Sequence, residues 1–235
     1  MTIKLKLRNL LQPIFSLLRV KRYCSFGLNG LDLKLNKYLN FDNGIFIEAG
    51  ANNGKLQSNT YYLEAIHNWR GILIEPIPEL FAQCVKNRPK AHCIQAALVG
   101  NEYKEETVEL DCAGLMSSVT GASGNKNYDG EHTKLGRQIQ EIKEIRKIKV
   151  HAVTLSDIIK KSKFASIDLL SLDLEGYEAE ALKGLDLEKH GPNRILIEVR
   201  NQEEITRIIG GHYDLEAILS SNDGYSDILY KRRSK

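Results

Sequence analysis

The sequence predicts an α/β fold in which helices cover both faces of a mostly parallel sheet that ends in an antiparallel pair of strands. Short apolar runs with the length of buried strands alternate along the chain with longer segments of helical spacing. Near the carboxyl terminus, Asp223-Gly224 stands between two apolar runs, a pattern typical of a hairpin turn. The alternation therefore indicates a doubly wound sheet, and the last two runs indicate its antiparallel end.

The individual elements follow this alternation in order. After a helix with Leu31, Leu35 and Leu39 on one side, the first strand is predicted at Ile45–Ile47. Further strands are predicted over residues 71–76, 91–95, 107–112, 147–153, 167–172 and 194–200, and in the hairpin over 213–219 and 227–231. Helices are predicted over residues 55–68, 78–88, 154–161, 178–184 and 202–209, with Thr154 as the N-cap of the third of them.

Length and composition are those of one globular domain with a short extension. The chain has 235 residues, of which 42% are hydrophobic and 27% are charged, and its formal net charge is +3. That charge is too small to indicate a nucleic-acid partner, which usually requires a clustered basic face. The four cysteines include no C-x-x-C pair, so neither a zinc site nor a disulfide framework is expected, and a cytoplasmic location is predicted.

The amino-terminal segment, residues 1–23, alternates basic and apolar residues. Its apolar stretch Leu10–Leu18 is too short to cross a bilayer and contains a Gln-Pro pair, and no signal-peptide cleavage pattern follows it. Two interpretations remain open: a helix lying peripherally on the inner membrane surface, or a helix packed on the domain edge or on a partner subunit. We assign residues 1–39 to this extension and residues 40–235 to the main domain. The sequence does not specify an oligomeric state.

The stretch after the first strand carries the main functional signal. It reads Glu48-Ala49-Gly50-Ala51-Asn52-Asn53-Gly54, and the predicted helix Lys55–Asn68 follows. A strand, a tight glycine turn and a helix in that order form a nucleotide-binding crevice, although the same order also occurs in turns without a ligand. Gly50 permits a sharp turn because glycine tolerates positive φ, and Gly54 lets the backbone approach a ligand or the next helix.

The spacing of this stretch indicates which ligand it suits. A dinucleotide fingerprint requires glycine where Asn52 stands, so a nicotinamide oxidoreductase is disfavoured. The pattern E-x-G-x-N-x-G suits a ligand without phosphate whose end carries amino and carboxylate groups, as in S-adenosylmethionine. We expect Glu48 to face the ammonium group, and the loop amides around Asn52 and Asn53 to face the carboxylate.

A second acidic strand end strengthens the nucleoside interpretation. Glu75 closes the second strand about twenty residues beyond the glycine turn, where a carboxylate accepts both ribose hydroxyls in adenosine-binding crevices. Pro76 and Ile77 follow directly, and Ile77 is a candidate for contact with the adenine face. Ala96, at the end of the third strand, is a candidate for the adenine edge, with a packed, ligand-free loop as the alternative. For Glu75 the alternative is a solvated strand end.

Two strands of the second half also end in acidic residues. The apolar run Ile167–Leu172 is followed by Asp173 and Glu175, and the next strand carries Glu198 near its end. In an open α/β sheet such residues face the crevice. Asp173 is the first candidate for a general base, with cofactor or metal contact as the alternative, and Glu175 and Glu198 come second. Their alternatives are helix capping for Glu175 and a salt bridge to Arg200 for Glu198.

Residues 113–130 are rich in glycine, serine and asparagine, and residues 131–146 are charged and compatible with a helix. We expect residues 113–149 to form an insertion that selects the substrate, with a flexible surface loop as the alternative. His132 and His151 are weaker candidates for a base, each with a structural role as the alternative. Carboxylates at one sheet edge suit Mg²⁺, but no ligand spacing requires it, so no metal site is predicted.

Four motifs in order resemble the FkbM-type family of class I S-adenosylmethionine-dependent methyltransferases. They are residues 46–54, 74–76, 153–157 and 167–178, with 181–184 behind the last, and the resemblance covers residues 40–232. The chain departs from the family pattern in Glu48, where Asp is frequent, and in Ser171 and Leu172, where Lys and Ile or Val are frequent. Neither change removes a charge that the cofactor needs. The resemblance implies a Rossmann-like, mostly parallel seven-stranded sheet with a terminal antiparallel hairpin.

The resemblance also implies a function. It implies O-methylation of a hydroxyl on a sugar, a glycan or a small natural product, with S-adenosylmethionine as cofactor. The expected partner is therefore a small-molecule or glycan acceptor, and any membrane contact would involve residues 1–23. The alternative is a non-catalytic nucleoside-binding or scaffold protein with the same fold, which would form no S-adenosylhomocysteine from S-adenosylmethionine.

Overall fold

The computed structural model describes residue 18 and residues 20–112, 118–119 and 146–234 of the chain. Several predictions lie outside these residues: most of the amino-terminal segment 1–23, the polar stretch 113–130 apart from residues 118 and 119, the charged segment 131–145 and His132. No helix among the described residues is long and apolar enough to cross a membrane.

The described residues contain eleven strands that form two sheets. In chain order they are β1 (Ile45–Ala49), β2 (Arg70–Ile74), β3 (His92–Ile94), β4 (Ala97–Leu98), β5 (Thr107–Cys112), β6 (Ser118–Val119), β7 (Arg146–Val153), β8 (Leu169–Leu172), β9 (Arg194–Val199), β10 (Tyr213–Asn222) and β11 (Tyr225–Arg232). The main sheet has the order β10-β11-β9-β8-β1-β2-β3. Its strands β3, β2, β1, β8 and β9 are parallel to one another, and β11 pairs antiparallel with both β9 and β10. The predicted seven-stranded, mostly parallel sheet with a terminal hairpin is confirmed.

A second, smaller sheet was not predicted. The strands expected over residues 107–112 and 147–153 are present, but they join a four-stranded sheet of order β4-β7-β5-β6. Its apolar face buries Val108, Leu110 and Val150 against Ala97 and Val99. Because β4 follows β3 closely in the chain, this sheet stands beside the carboxyl ends of the main strands.

The described residues contain eight short helices, of which two precede β1 and six lie between strands. They are α1 (Lys21–Cys24), α2 (Leu31–Leu35), α3 (Tyr61–His67), α4 (Pro78–Asn87), α5 (Leu155–Lys161), α6 (Glu178–Lys183), α7 (Leu187–His190) and α8 (Gln202–Ile209), with a 3₁₀ turn at Leu28–Gly30. The predicted cap of α5 is confirmed, since the Thr154 side chain accepts the backbone N–H of Asp157 at 3.1 Å. The hairpin turn is also confirmed, with Gly224 at φ +103° between β10 and β11.

The helix predicted over Lys55–Asn68 was wrong in its first half, because α3 begins only at Tyr61. Two features keep the preceding residues out of a helix. The Asn53 side chain accepts the backbone N–H groups of Lys55 and Leu56, which closes a turn at that point. Gln57 then adopts φ +59°, a left-handed conformation that ends helical geometry.

Two apolar clusters cover the two faces of the main sheet. One contains Ile47, Ile72 and Leu170, and the other contains Phe46, Leu73 and Leu169. Strand residues alternate between the faces, so consecutive residues of β1, β2 and β8 enter different clusters. Leu31, Leu35 and Leu39, from the predicted amino-terminal extension, are also buried in the second cluster.

The order of the sheet fixes the position of a binding crevice. From β1 the chain adds β2 and β3 on one side, and it later adds β8 and β9 on the other side. In open α/β sheets, ligands bind outside the carboxyl ends of the strands at such a switch point. The residues that follow β1, β2 and β8 therefore stand at the switch point of the sheet.

Candidate active site

A crevice opens at the carboxyl ends of β1, β2 and β8. The segments after β1 and β8 contribute Gly50 and the polar residues Asn52, Gln57, Asp173 and Glu175 to its lining. The segments after β2 and β3, helix α4 and the small sheet contribute apolar residues, namely Ile77, Leu80, Ala96, Leu98 and Leu110. The predicted residues Glu75 and Pro76 also line it, so most of the predicted cofactor residues are brought together.

Gly50 and Asp173 are in backbone contact across the crevice. Gly50 has φ +79°, and a Cβ atom built on it would lie 1.9 Å from the carbonyl oxygen of Asp173. Both the conformation and the contact exclude a larger residue. The close approach of the loops after β1 and β8 therefore requires a glycine at position 50.

Glu75 connects the loops after β1 and β2. It is only 4% exposed, and its two oxygens accept the backbone N–H of Asn52 at 2.8 Å and of Ile77 at 3.0 Å. Burial raises the pKa of Glu75 to about 7, against the opposing effect of the two backbone hydrogen bonds. A carboxylate has about four acceptor positions, so two remain for hydroxyl groups of a ligand in the crevice.

Glu48 does not line the crevice. Its carboxylate accepts the Ser58 hydroxyl at 2.9 Å, the Asn59 backbone N–H at 2.7 Å and the Thr60 hydroxyl at 2.7 Å. The side chain of Arg88 lies 3.7 Å away. These contacts fix the segment before α3, so the expectation that Glu48 faces an ammonium group has no support in this geometry.

Asn53 and Gly54 shape the loop rather than the crevice surface. The Asn53 side chain holds the turn described above, and the Asn53 backbone N–H donates to the Asn52 side chain at 2.6 Å. Gly54 has φ +81°, and a Cβ on it would lie 2.9 Å from the Arg88 side chain. Among the predicted loop residues, Gly50 and Asn52 are the ones that line the crevice.

Three carboxylates stand in a row on neighbouring strands. Leu172 pairs with Ile197, which makes Asp173 and Glu198 neighbours one position further along, and Glu198 pairs with Asp227 of β11. Burial, followed by the charges of Glu198 and other nearby carboxylates, raises the pKa of Asp173 well above its usual range. Burial raises the pKa of Glu198 to about 7 and that of Asp227 to about 6. Glu198 and Asp227 of this row therefore take up protons at higher pH than exposed carboxylates do.

Arg200 opposes part of this negative charge. Its guanidinium donates to Glu175 at 2.8 Å and to Glu198 at 2.6 Å, which confirms the salt bridge considered for Glu198. Glu175 lines the crevice at φ +54°, whereas Glu198 stands behind Asp173. The turn after β8 is held by Glu178, which accepts the backbone N–H groups of Leu174 and Gly176.

Sequence reasoning missed Asp227, Glu178 and Arg88. Asp227 becomes a neighbour of Glu198 only through the register of the antiparallel hairpin, although the Asp-Gly turn was a signal from which that register could have been counted. The exposed His151 lies on the small sheet and does not line the crevice. The described part of the chain contains no group of three or more His, Cys, Asp and Glu residues that could hold a metal ion.

Comparison with known proteins gives one family match. The family profile described as "Methyltransferase FkbM domain" matches residues 48–226. That span includes the loops that line the crevice, strands β2 and β8 and most of the terminal hairpin. No curated protein matches the chain.

Solved structures with a similar fold include a methyltransferase FkbM from Methylobacillus flagellatus. It superposes with a TM-score of 0.50 at 16% identity, over 81% of this chain and 44% of that chain, so this chain spans less than half of that protein's length. A TehB-like SAM-dependent methyltransferase from Corynebacterium glutamicum gives 0.42 at 10% identity, over 86% and 88% of the two chains. TrmK from M. capricolum, in complex with S-adenosyl-homocysteine, gives 0.45 at 9% identity, over 86% and 68%. At 16% identity, the first likeness shows the fold alone.

Proposed function

The chain belongs to the family of methyltransferases with an FkbM domain, and from that premise we propose that it transfers a methyl group from S-adenosylmethionine to a hydroxyl oxygen. The acceptor is a sugar, a glycan or a small natural product. The observation that carries the proposal is Glu75, a buried carboxylate that joins two crevice loops and keeps acceptor positions for a pair of hydroxyl groups.

The crevice fits the parts of this cofactor. Glu75 would accept the ribose hydroxyls, and the apolar residues Ile77, Leu80 and Leu98 would enclose the adenine ring. Because Glu48 is engaged by the protein, we do not assign the ammonium group to it. Contact between that group and Asp173 is the alternative to the base role of Asp173 described below. Backbone groups around Gly50 and Asn52 would hold the carboxylate end of the cofactor.

The cofactor, when bound, supplies a methyl group on a sulfonium centre that is already activated for transfer. The chain's own contribution is then to place the acceptor oxygen in line with that group and to exclude water. Asp173 is the candidate to accept the hydroxyl proton, because it lines the crevice and its raised pKa makes it a better base than an exposed carboxylate. Glu175 would orient the acceptor, and Arg200 would fix the Glu175 side chain through their hydrogen bond.

Thermal unfolding with and without S-adenosylhomocysteine tests the cofactor part of the proposal. At a hundredfold excess over Kd, binding stabilises the fold by about 2.7 kcal/mol, which raises the midpoint by about 5–10 °C in a domain of this size. NAD at the same concentration is the control and should cause no shift. Absence of a shift with S-adenosylhomocysteine would overturn the proposal and favour the non-catalytic alternative.

The acceptor part requires a separate measurement. Formation of S-adenosylhomocysteine from S-adenosylmethionine is followed with neutral sugars, glycans and hydroxylated small molecules, with each acceptor omitted in turn. The methylated product is then analysed by mass spectrometry and NMR to locate the new methyl group. Methyl transfer exclusively to nitrogen or carbon would contradict O-methylation.

A further inference from the structure

Arg88 is a buried charged residue outside the crevice. It follows α4 directly, and none of its surface is exposed. A guanidinium keeps its charge in proteins, so its burial has to be balanced by hydrogen bonds and counter-charges. The hydrogen-bond partners of Arg88 therefore identify the segments that its side chain connects.

The Arg88 guanidinium donates hydrogen bonds to four acceptors. Three lie in the segment between β1 and α3, and one lies in α3. Nη1 donates to the Gly54 carbonyl at 2.9 Å and to the Ser58 hydroxyl at 3.2 Å. Nη2 donates to the Thr60 hydroxyl at 3.1 Å, and Nε donates to the Glu64 carboxylate at 2.9 Å. The planar guanidinium thus connects Gly54, near the start of the loop between β1 and α3, with Thr60 at the end of that loop.

Charge and ring contacts complete this environment. The carboxylate of Glu64 is 2.9 Å from Arg88 and that of Glu48 is 3.7 Å away, and both side chains are at least nine-tenths buried. The guanidinium also lies 5.2 Å from the centre of the Phe46 ring and 5.3 Å from that of Tyr61. Glu48, the residue expected at the ligand, is therefore part of the support for Arg88.

The end of α4 holds three successive carbonyl groups of the loop. The Asn52 carbonyl accepts the Cys84 thiol at 2.8 Å, and the Asn53 carbonyl accepts the Asn87 side-chain amide at 2.8 Å. The Gly54 carbonyl is the one that accepts Arg88. This face of the loop is fixed on α4, while Asn52 and Gln57 of the same loop line the crevice.

We infer that Arg88 is a positioning residue for cofactor binding: it holds the segment from Asn52 to Thr60 in the shape that forms one wall of the crevice. The inference rests on the proposed function, since it assumes that the crevice binds the cofactor. Arg88 acts through the loop and touches no ligand itself. Its removal should therefore weaken cofactor binding because ordering the loop would then cost part of the binding free energy.

The test compares two Arg→Lys variants. Arg88→Lys keeps the positive charge but loses the planar fork that reaches several acceptors. Arg194→Lys is the matched control, because Arg194 forms a mostly buried two-point ion pair with Glu216 at the opposite end of the sheet from the crevice. For each variant, the Kd for S-adenosylhomocysteine is measured by calorimetry, together with the unfolding midpoint and amide hydrogen exchange of residues 52–60.

We expect the Kd of Arg88→Lys to rise at least tenfold and that of Arg194→Lys to stay within twofold of wild type. Exchange at residues 52–60 should become faster in ligand-free Arg88→Lys and slow again with saturating ligand. A Kd of Arg88→Lys within twofold of wild type would overturn the inference. Absence of binding to the wild-type chain would instead overturn the proposed function on which it rests.

A second variant covers the case in which Arg88→Lys does not fold. Thr60→Val keeps the size of the side chain and leaves Arg88 buried, but it removes the acceptor of Nη2 and a donor to Glu48. The expected result is a several-fold rise in Kd with faster exchange at residues 52–60. An unchanged Kd in a folded Thr60→Val variant would also count against the role of this network.

Discussion

Asp227 of β11 lies directly opposite Glu198 of β9 in the antiparallel pairing of the two strands, so two carboxylates share one position on the same face of the sheet. Like charges in such a pair destabilise a sheet. The arrangement is partly relieved by protonation, since burial raises the pKa of Glu198 to about 7 and that of Asp227 to about 6. The row of acids beside the crevice therefore links the stability of the fold to pH.

This relationship predicts a fall in stability with rising pH. Both groups have pKa values above those of the unfolded chain, so the folded state binds more protons and unfolding becomes easier as pH increases from about 4 to about 7. Asp227→Asn keeps an acceptor but removes one charge, and we expect it to stabilise the fold by about 1 kcal/mol at pH 8 and by less at pH 5. Urea unfolding at the two pH values measures this.

The matched control for that prediction is Asp223→Asn, which makes the same charge change at an exposed position in the turn of the same hairpin. It should leave the pH dependence as in wild type. Equal pH dependence in Asp227→Asn and wild type would show that the pair does not control stability.

Gly50→Ala tests the contact between the loops after β1 and β8. The new Cβ would meet the Asp173 carbonyl at 1.9 Å, and alanine at positive φ costs about 1 kcal/mol by itself. We expect destabilisation of more than 2 kcal/mol, because a backbone shift is added to that cost, and loss of S-adenosylhomocysteine binding. Gly30→Ala is the control, since Gly30 has φ +68° with no atom within 4 Å of the Cβ position. It should cost about 1 kcal/mol and leave binding unchanged.

The sequence predicted the fold and the crevice because these depend on local signals. Apolar runs of strand length, acidic strand ends and the glycine turn placed Gly50, Glu75 and Asp173 at one sheet edge. The small sheet could not be predicted in the same way. Its strands resemble those of the main sheet in composition, and only tertiary packing separates them.

The role of Glu48 shows the limit of a motif in a single sequence. A carboxylate at a strand end has the same local pattern whether it faces a ligand or the protein. In this chain Glu48 faces the protein because Arg88 and Thr60, which lie outside β1 and its glycine turn, contact its carboxylate. The start of α3 at Tyr61 follows from the same network, because Ser58 and Thr60 bind Glu48 instead of continuing a helix.

Glu75→Gln tests the carboxylate that joins the loops. Glutamine retains one acceptor, but its amide N–H groups would face a backbone N–H of Asn52 or Ile77, which leaves a buried donor unsatisfied. We expect destabilisation of about 1–3 kcal/mol and a Kd for S-adenosylhomocysteine at least tenfold higher than in wild type. With wild type, the Kd should also rise below pH 7, where Glu75 becomes protonated, and calorimetry at pH 6 and pH 8 measures it. A pH-independent Kd would argue against ribose contact by this carboxylate.

Asp173→Asn separates catalysis from binding at the crevice. If Asp173 accepts the proton of the acceptor hydroxyl, its amide variant should lose about 10²–10⁴-fold in kcat at saturating cofactor. Because the pKa of Asp173 is raised, the fall of wild-type kcat with decreasing pH should begin at a higher pH than for an exposed carboxylate, and the variant should lack that dependence. Glu175→Gln is the comparison, since Glu175 also lines the crevice but is held by Arg200. We expect it to change KM for the acceptor more than kcat, and unchanged kcat in Asp173→Asn would assign Asp173 to cofactor binding alone.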